Sequence, residues 1–292
     1  MRVLVNRRPV SGPWGGGNLF VRALCDTLTA SGHEVVHNIT QNIDKIIVVD
    51  PRPENGFDDI QSLITYSMSR NAPITIRINE CDARKGTSGL DEFLSNVSNY
   101  CSKTIFVSKW MMDYHLAKGW KCKSIDFTYN GVDRNIFKKR PRLENGKINL
   151  VTHHWSNNPM KGFDIYEKLD SLVGNDDRFT FTYIGRDRGS FKNTRVVQPL
   201  FGTDLGEELS KYDVYVSASL FDPGPNHVIE SIASGIPTFA IRDGGGACEF
   251  VGQDWIYDNF DDLLSKIQDA KPNHDPFGDW KSCIKEFLRK SA

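Results

Sequence analysis

The chain has 292 residues, enough to bury a large core and to form two domains of roughly 140 residues each. Hydrophobic residues make up 39% and charged ones 25%, an ordinary globular balance that excludes a disordered polyelectrolyte, and no apolar run approaches the roughly 18 residues that span a bilayer. A net charge of −1 and a pI near 6.7 argue against strong nonspecific binding to nucleic acid.

That charge is unevenly spread. Residues 1–142 hold 20 Lys/Arg against 14 Asp/Glu, and the remainder holds 16 against 23, which fits separate partners for the two halves. Six cysteines, at positions 25, 81, 101, 122, 248 and 283, lack metal-ligand spacing and read as reduced thiols. Met1 leads straight into strand-like Arg2-Val3-Leu4-Val5, so no signal peptide and a cytoplasmic location are expected.

Residues 2–6 predict a buried strand. Gly12-Pro13-Trp14-Gly15-Gly16-Gly17-Asn18 follows, then an apolar-periodic helix from Leu19 to about Ser31, ended by Gly32. Strand, glycine loop and helix form a mononucleotide-binding beginning, and consecutive glycines let a ligand approach the backbone closely; a plain flexible loop fits as well. Residues 43–49 and 73–78 are the next strands, with a helix over 58–69. The second strand runs into Asn79-Glu80-Cys81-Asp82-Ala83-Arg84-Lys85-Gly86, polar enough to suit a site or a solvated loop. Residues 104–107 predict another strand, and Ser108 caps a helix beginning Lys109-Trp110-Met111-Met112. With Lys118-Gly119-Trp120-Lys121-Cys122-Lys123, basic residues stand beside Trp and Met, a mixture suited to an anionic membrane surface, to nucleic acid or to an ordinary helix face. Asn130-Gly131 signals a turn, and the polar stretch 138–147 separates two α/β patterns.

Residues 148–152 restart the strand pattern and lead into His153-His154-Trp155-Ser156-Asn157-Asn158-Pro159-Met160-Lys161-Gly162. A strand running into Lys-Gly at a helix start suits phosphate. Adjacent histidine side chains diverge and have no acidic neighbour in sequence, so no metal is predicted. Strands over 179–184 and 196–197 and a helix over 203–209 follow. Residues 212–219 read as a core strand, Asp222-Pro223-Gly224-Pro225-Asn226 as a forced turn, and a helix begins near Asn226 as N-cap. Gly235 and Pro237 end that helix, residues 236–241 form the next strand, and Gly244-Gly245-Gly246 leaves it. The chain closes with an amphipathic helix over 280–290. A helix N-terminus at a sheet's carboxyl end favours an anion, and Asp222 and Glu230 beside it suit sugar hydroxyls. Both also suit plain turn and first-turn positions, and spacing alone leaves that open.

Asp222 and Glu230 are separated by seven residues. DPGPNHVIE, followed by ASGIPTFAIRDGGGACEFV, resembles the E-x7-E region of retaining glycosyltransferases of family 4, with Asp for the usual first Glu. THHWSNNPMKGFD is similar to the first loop of that family's C-terminal domain, and FTYNGVD with Phe137 to its NGVD…F element. RINECDARKG resembles a branch carrying Arg-x-Asn where many relatives place a histidine. The resemblance implies an α/β protein of GT-B architecture, two Rossmann-like domains facing each other across a cleft. Residues 1–140 would be the acceptor domain, 141–278 the donor domain, and 279–292 a helix packed back on the first.

It also implies retaining, metal-independent transfer, without a cofactor, from a nucleotide-sugar donor to a carbohydrate or lipid-linked acceptor. Lys161, Asp222 and Glu230 would be catalytic, with Lys161 on the diphosphate, Asp222 on the transferred sugar and Glu230 on donor hydroxyls of the ribose. Gly16, Gly17, Arg186, Asn226, His227, Val228 and Glu230 would bind the donor, and Arg77, Asn79, Glu80 and Asp82 would face the acceptor. The family's phosphate-clamping Arg falls on Ser156, for which Arg186 is the candidate replacement. Transfer to modified nucleic acid bases, of the phage DNA-modification type, and a non-catalytic nucleotide-sugar-binding relative remain open. The basic N-terminal half extends the expected partners to an anionic membrane surface or nucleic acid, and the location to the inner membrane face.

Overall fold

The computed structural model describes residues 1–11 and 15–292; Gly12, Pro13 and Trp14 of the glycine-rich stretch lie outside the described residues. The chain divides into two compact units, Met1–Gly131 with Gly278–Ala292, and Val132–Phe277. In the first, β1 (Arg2–Val5), α1 (Gly16–Ala30), β2 (Glu34–Val36), β3 (Lys45–Val48), α2 (Ile60–Arg70), β4 (Ile74–Ile78), α3 (Asp82–Lys85), α4 (Leu90–Ser98), β5 (Lys103–Phe106), α5 (Lys109–Ala117) and β6 (Ile125–Phe127) follow one another. Among the described residues the strands form one parallel sheet in the order β2-β1-β3-β4-β5-β6.

A parallel sheet covered on both faces needs apolar side chains on both, and β4 buries all five of its residues. Successive residues of β3 go to opposite faces: Ile46 joins a core with Ile74, Ile76 and Phe106, and Ile47 joins another with Val5, Phe20 and Leu24. The Ser108 hydroxyl caps α5 by accepting from the Met111 amide at 3.0 Å. Helix α1 begins earlier than its apolar periodicity suggests, so Gly16 and Gly17 lie in its first turn rather than in a loop. Glycine has no side chain to contribute to an apolar period, so a first turn built of glycines leaves no periodic signal.

The second unit runs β7 (Ile148–His154), α6 (Phe163–Asn175), β8 (Phe179–Gly185), β9 (Arg195–Val197), α7 (Gly202–Leu209), β10 (Val214–Ser217), α8 (Asn226–Ala233), β11 (Thr238–Ile241), α9 (Gly246–Val251), β12 (Ile256–Tyr257) and α10 (Phe260–Ile267). Its parallel sheet has the order β12-β11-β10-β7-β8-β9. Counted from β7, the third, second, first, fourth, fifth and sixth strands lie side by side, which is the doubly wound Rossmann order. Helix α8 ends in a Schellman turn: Gly235, at φ +71°, donates to Ile232, and Ile236 donates to Ser231. At its start Pro225, not Asn226, takes the N-cap place; the Pro225 carbonyl accepts from Val228 and Ile229, and Asn226 is the first helical residue.

The final helix, α11 (Trp280–Lys290), belongs to the first unit and packs on α1. Phe287 is fully buried there, edge-on to Phe20 with ring centroids 5.0 Å apart. The Asn130-Gly131 turn lies against its start, where a Cβ on Gly131 would stand 2.5 Å from the Trp280 Cα. Among the described residues no helix is long and apolar enough to cross a membrane. Phe287→Ala should cost about 3–5 kcal/mol in urea unfolding. A loss below about 1 kcal/mol would mean that α11 contributes little to this core.

Candidate functional site

Strands β7 and β10 are neighbours where the order of the second sheet reverses, the place at which such sheets open a crevice beyond their carboxyl ends. Their ladder is short, pairing Val214 with Leu150 and Tyr215 with Val151. Beyond it the Tyr215 hydroxyl takes over, accepting from the His153 amide at 3.0 Å and donating to the His153 carbonyl at 3.2 Å. The side chains at the two strand ends then turn to partners outside the sheet.

Lys161 stands at the end of a single 3-10 turn, Pro159–Lys161, whose Met160 amide donates to the Asn158 side chain at 2.9 Å. Gly162 follows at φ +77°, and a Cβ on it would lie 2.0 Å from the Ala218 carbonyl oxygen. Only glycine lets this turn press onto the end of β10. There the Lys161 Nζ lies 2.9 Å from Asp222 Oδ2, with the two side chains 12% and 5% exposed. The Asp222 backbone is pinned in turn, its amide donating to Gly244 and its carbonyl accepting from Gly246. Phe221, just before it, adopts φ +50°, a conformation that costs a bulky residue about 1–3 kcal/mol and tends to occur where function holds it.

Glu230 lies one turn inside α8, with Oε2 3.0 Å from His153 Nε2. The next residue along β7, His154, faces a different partner. Its Nε2 lies 2.6 Å from the Tyr166 hydroxyl, whose oxygen accepts from the Ala218 amide at 3.0 Å. Burial first, then electrostatic repulsion from His227, Lys161 and His153, holds His154 well below the usual imidazole pKa and keeps it neutral. Among the described residues its Nδ1 is buried without a partner. His227 Nε2 lies 3.0 Å from Ser217 Oγ, and its ring centre is 4.9 Å from that of His154 and 6.0 Å from that of His153. Three imidazoles thus share the carboxyl end of this sheet with Lys161, Asp222 and Glu230.

The other candidates on this unit fall differently. Val228 is wholly in the core, with its amide bonded to Pro225. The Arg186 guanidinium stacks over the Trp155 ring at 4.5 Å instead of joining Lys161 and Asp222. Ser156, at the place of the family's clamping Arg, accepts from the Asn158 amide and so organises its own loop.

On the first unit, Arg77 is 2% exposed, with Nη2 donating to Asn130 at 2.7 Å and Cζ 4.0 Å over the Phe20 ring. Burial lowers its pKa to about 10, and among the described residues its Nη1 has no partner. Asn79 lies on the same face, its Nδ2 3.5 Å from where a Gly17 Cβ would be. Glu80 is buried and paired with Arg84 at 3.0 Å and Lys85 at 2.8 Å. Asp82 accepts from the Leu90 and Asp91 amides and from Thr87, which ties down its own loop. Among the described residues no group of three or more His, Cys, Asp or Glu side chains could hold a metal ion.

Tyr166, Tyr215 and Ser217 direct the histidines, yet nothing in the sequence separates them from ordinary core residues of β-strands and helices. The paired histidines were visible, and their position at a strand's carboxyl end beside the switch point is the signal that could have marked them.

No family model matches the chain, and no curated protein matches it in sequence. Solved structures match along its whole length. HepE of Anabaena, solved with UDP and glucose, is 14% identical with a TM-score of 0.72, over 99% of this chain and 98% of that one. Sucrose-phosphate synthase of Thermosynechococcus elongatus is 12% identical with a TM-score of 0.68, over 99% and 97%. WaaG, a glycosyltransferase involved in lipopolysaccharide biosynthesis, is 13% identical with a TM-score of 0.55, over 100% and 90%. The chain has the GT-B fold. Its second GT-B unit carries the histidines, Lys161, Asp222 and Glu230 on the edge where such sheets take ligands.

Breaking a buried ion pair by removing one partner costs about 3–5 kcal/mol, so Lys161→Met should lower the midpoint of thermal unfolding clearly. Adding Asp222→Asn should recover part of that loss. Losses that simply add would mean that the two side chains are not coupled.

Proposed function

We propose that this chain is a retaining, metal-independent glycosyltransferase of the family 4 type, which moves a sugar from a nucleoside diphosphate donor to a carbohydrate or lipid-linked acceptor. The observation that carries this reading is the convergence of Lys161, Asp222 and Glu230 at the switch point of a Rossmann-ordered sheet, beside the first turn of α8. HepE, which has this fold, is solved in complex with UDP-glucose, and this supports the same donor chemistry here.

The diphosphate would lie against the Lys161 ammonium, which offsets the charge that grows on it as the sugar bond breaks. Asp222, 2.9 Å from that ammonium, would then meet hydroxyls of the transferred sugar, and Glu230 those of the ribose. Retention implies attack from the face that the diphosphate leaves, so catalysis is mostly positioning and electrostatics. The first unit would hold the acceptor, with Arg77 and Asn79 beside the first turn of α1.

Calorimetric titration with UDP, ADP and GDP tests this directly. One of them should bind with chelator present, and Glu230→Ala should weaken it by about tenfold or more, the worth of a charge-assisted hydrogen bond at about 1.5–3 kcal/mol. Lys161→Ala should lower kcat more than it raises KM. Unchanged affinity in Glu230→Ala, or activity abolished by chelator and restored by manganese, would contradict the reading.

A further inference from the structure

A glutamate on a helix has three rotatable bonds, and ordering its carboxylate on a ligand costs rotamer freedom. In this chain the freedom of Glu230 is already removed, because Oε2 lies 3.0 Å from His153 Nε2 and the two side chains are only 13% and 10% exposed. His153 cannot swing away easily. Its amide and carbonyl are both bonded to the Tyr215 hydroxyl, and its ring stands edge-on to those of Tyr215 and His227, at 5.4 and 6.0 Å.

A carboxylate only accepts, so the His153 Nε2 carries the hydrogen. Among the described residues its other ring nitrogen, Nδ1, is buried without a partner. The imidazole is therefore not a core histidine satisfied on both sides; among the described residues the bond to Glu230 is the one hydrogen bond its ring makes. Among the described residues Oε1 of Glu230 makes no hydrogen bond. One carboxylate oxygen is held and the other is left for a ligand, an arrangement in which a buried neighbour sets the aim of the contacting group.

Resting on the reading of Glu230 as the residue that meets the ribose, we propose that His153 positions Glu230 and so sets the preference for a ribonucleotide donor over its deoxyribose counterpart. His153 touches no reacting atom in this account. It acts through Glu230.

The probes are UDP, ADP and GDP and their dideoxyribose counterparts, titrated into wild type, His153→Ala, His153→Gln, Glu230→Ala and the double variant. Wild type should favour one ribonucleotide over its dideoxy form by about tenfold or more, the value of a lost hydrogen bond to a charged group. His153→Ala should reduce that preference to the level of Glu230→Ala, and the double variant should lose nothing further. His153→Gln, whose amide can still donate, should restore part of it, which general damage to the fold would not allow. A preference retained in His153→Ala, or a double variant in which the two losses add, overturns the proposal while leaving the role of Glu230 standing. A wild type that binds none of the three, or binds without regard to the hydroxyls, overturns that role and the proposal with it.

Discussion

At Gly162 the chain passes so close to the end of β10 that a Cβ would lie 2.0 Å from the Ala218 carbonyl oxygen. That approach requires a residue without a side chain at φ +77° and fixes the turn carrying Lys161 against the strand that leads to Asp222. The ion pair follows from it. Taking an ammonium and a carboxylate out of water is costly unless they meet in good geometry, and here they meet at 2.9 Å with almost no exposure. Such a pair is poor evidence for stability, since well-packed apolar side chains would serve as well. On the function proposed above it is a charge arrangement kept for a ligand, consistent with the positive φ that Phe221 tolerates beside it.

The histidines belong to the same arrangement. Where the ladder of β7 and β10 stops, tyrosine hydroxyls replace it: Tyr215 clasps the His153 backbone, and Tyr166 ties His154 to the Ala218 amide. Two adjacent residues on one strand end are thereby sent to different tasks. His154 stays neutral and internal, and His153 reaches across to α8 and Glu230. Fixed hydrogen bonds at the edge of a sheet need no reorganisation when a ligand arrives, which is the physical basis of preorganised electrostatics.

Much of the fold is legible in the sequence because its signals are local. Apolar runs mark the strands, Ser108 marks the start of α5, and Gly235 with Pro237 marks the end of α8. The seven-residue spacing of Asp222 and Glu230 is local too. What the sequence withholds is pairing over distance: Lys161 and Asp222 are 61 residues apart, and His153 and Glu230 are 77 apart. Spacing cannot reveal that Glu230 has an imidazole partner, nor that Arg186 lies on Trp155. Arg77 reads as a polar residue near a strand end, whereas β4 turns it into the layer of α1 and α11, where burial outweighs hydration of its charge.

The central claim is that the carboxyl end of the second sheet is the nucleotide site. The most direct measurement is the set of histidine ring signals in a nitrogen–proton correlation spectrum, followed while a nucleoside diphosphate is added. The chain has seven histidines. On this account the signals of His153, His154 and His227 shift together with saturation, and those of His33, His37, His115 and His274 stay in place. Binding that leaves the first three unmoved, or moves His115 on the first unit instead, would contradict it.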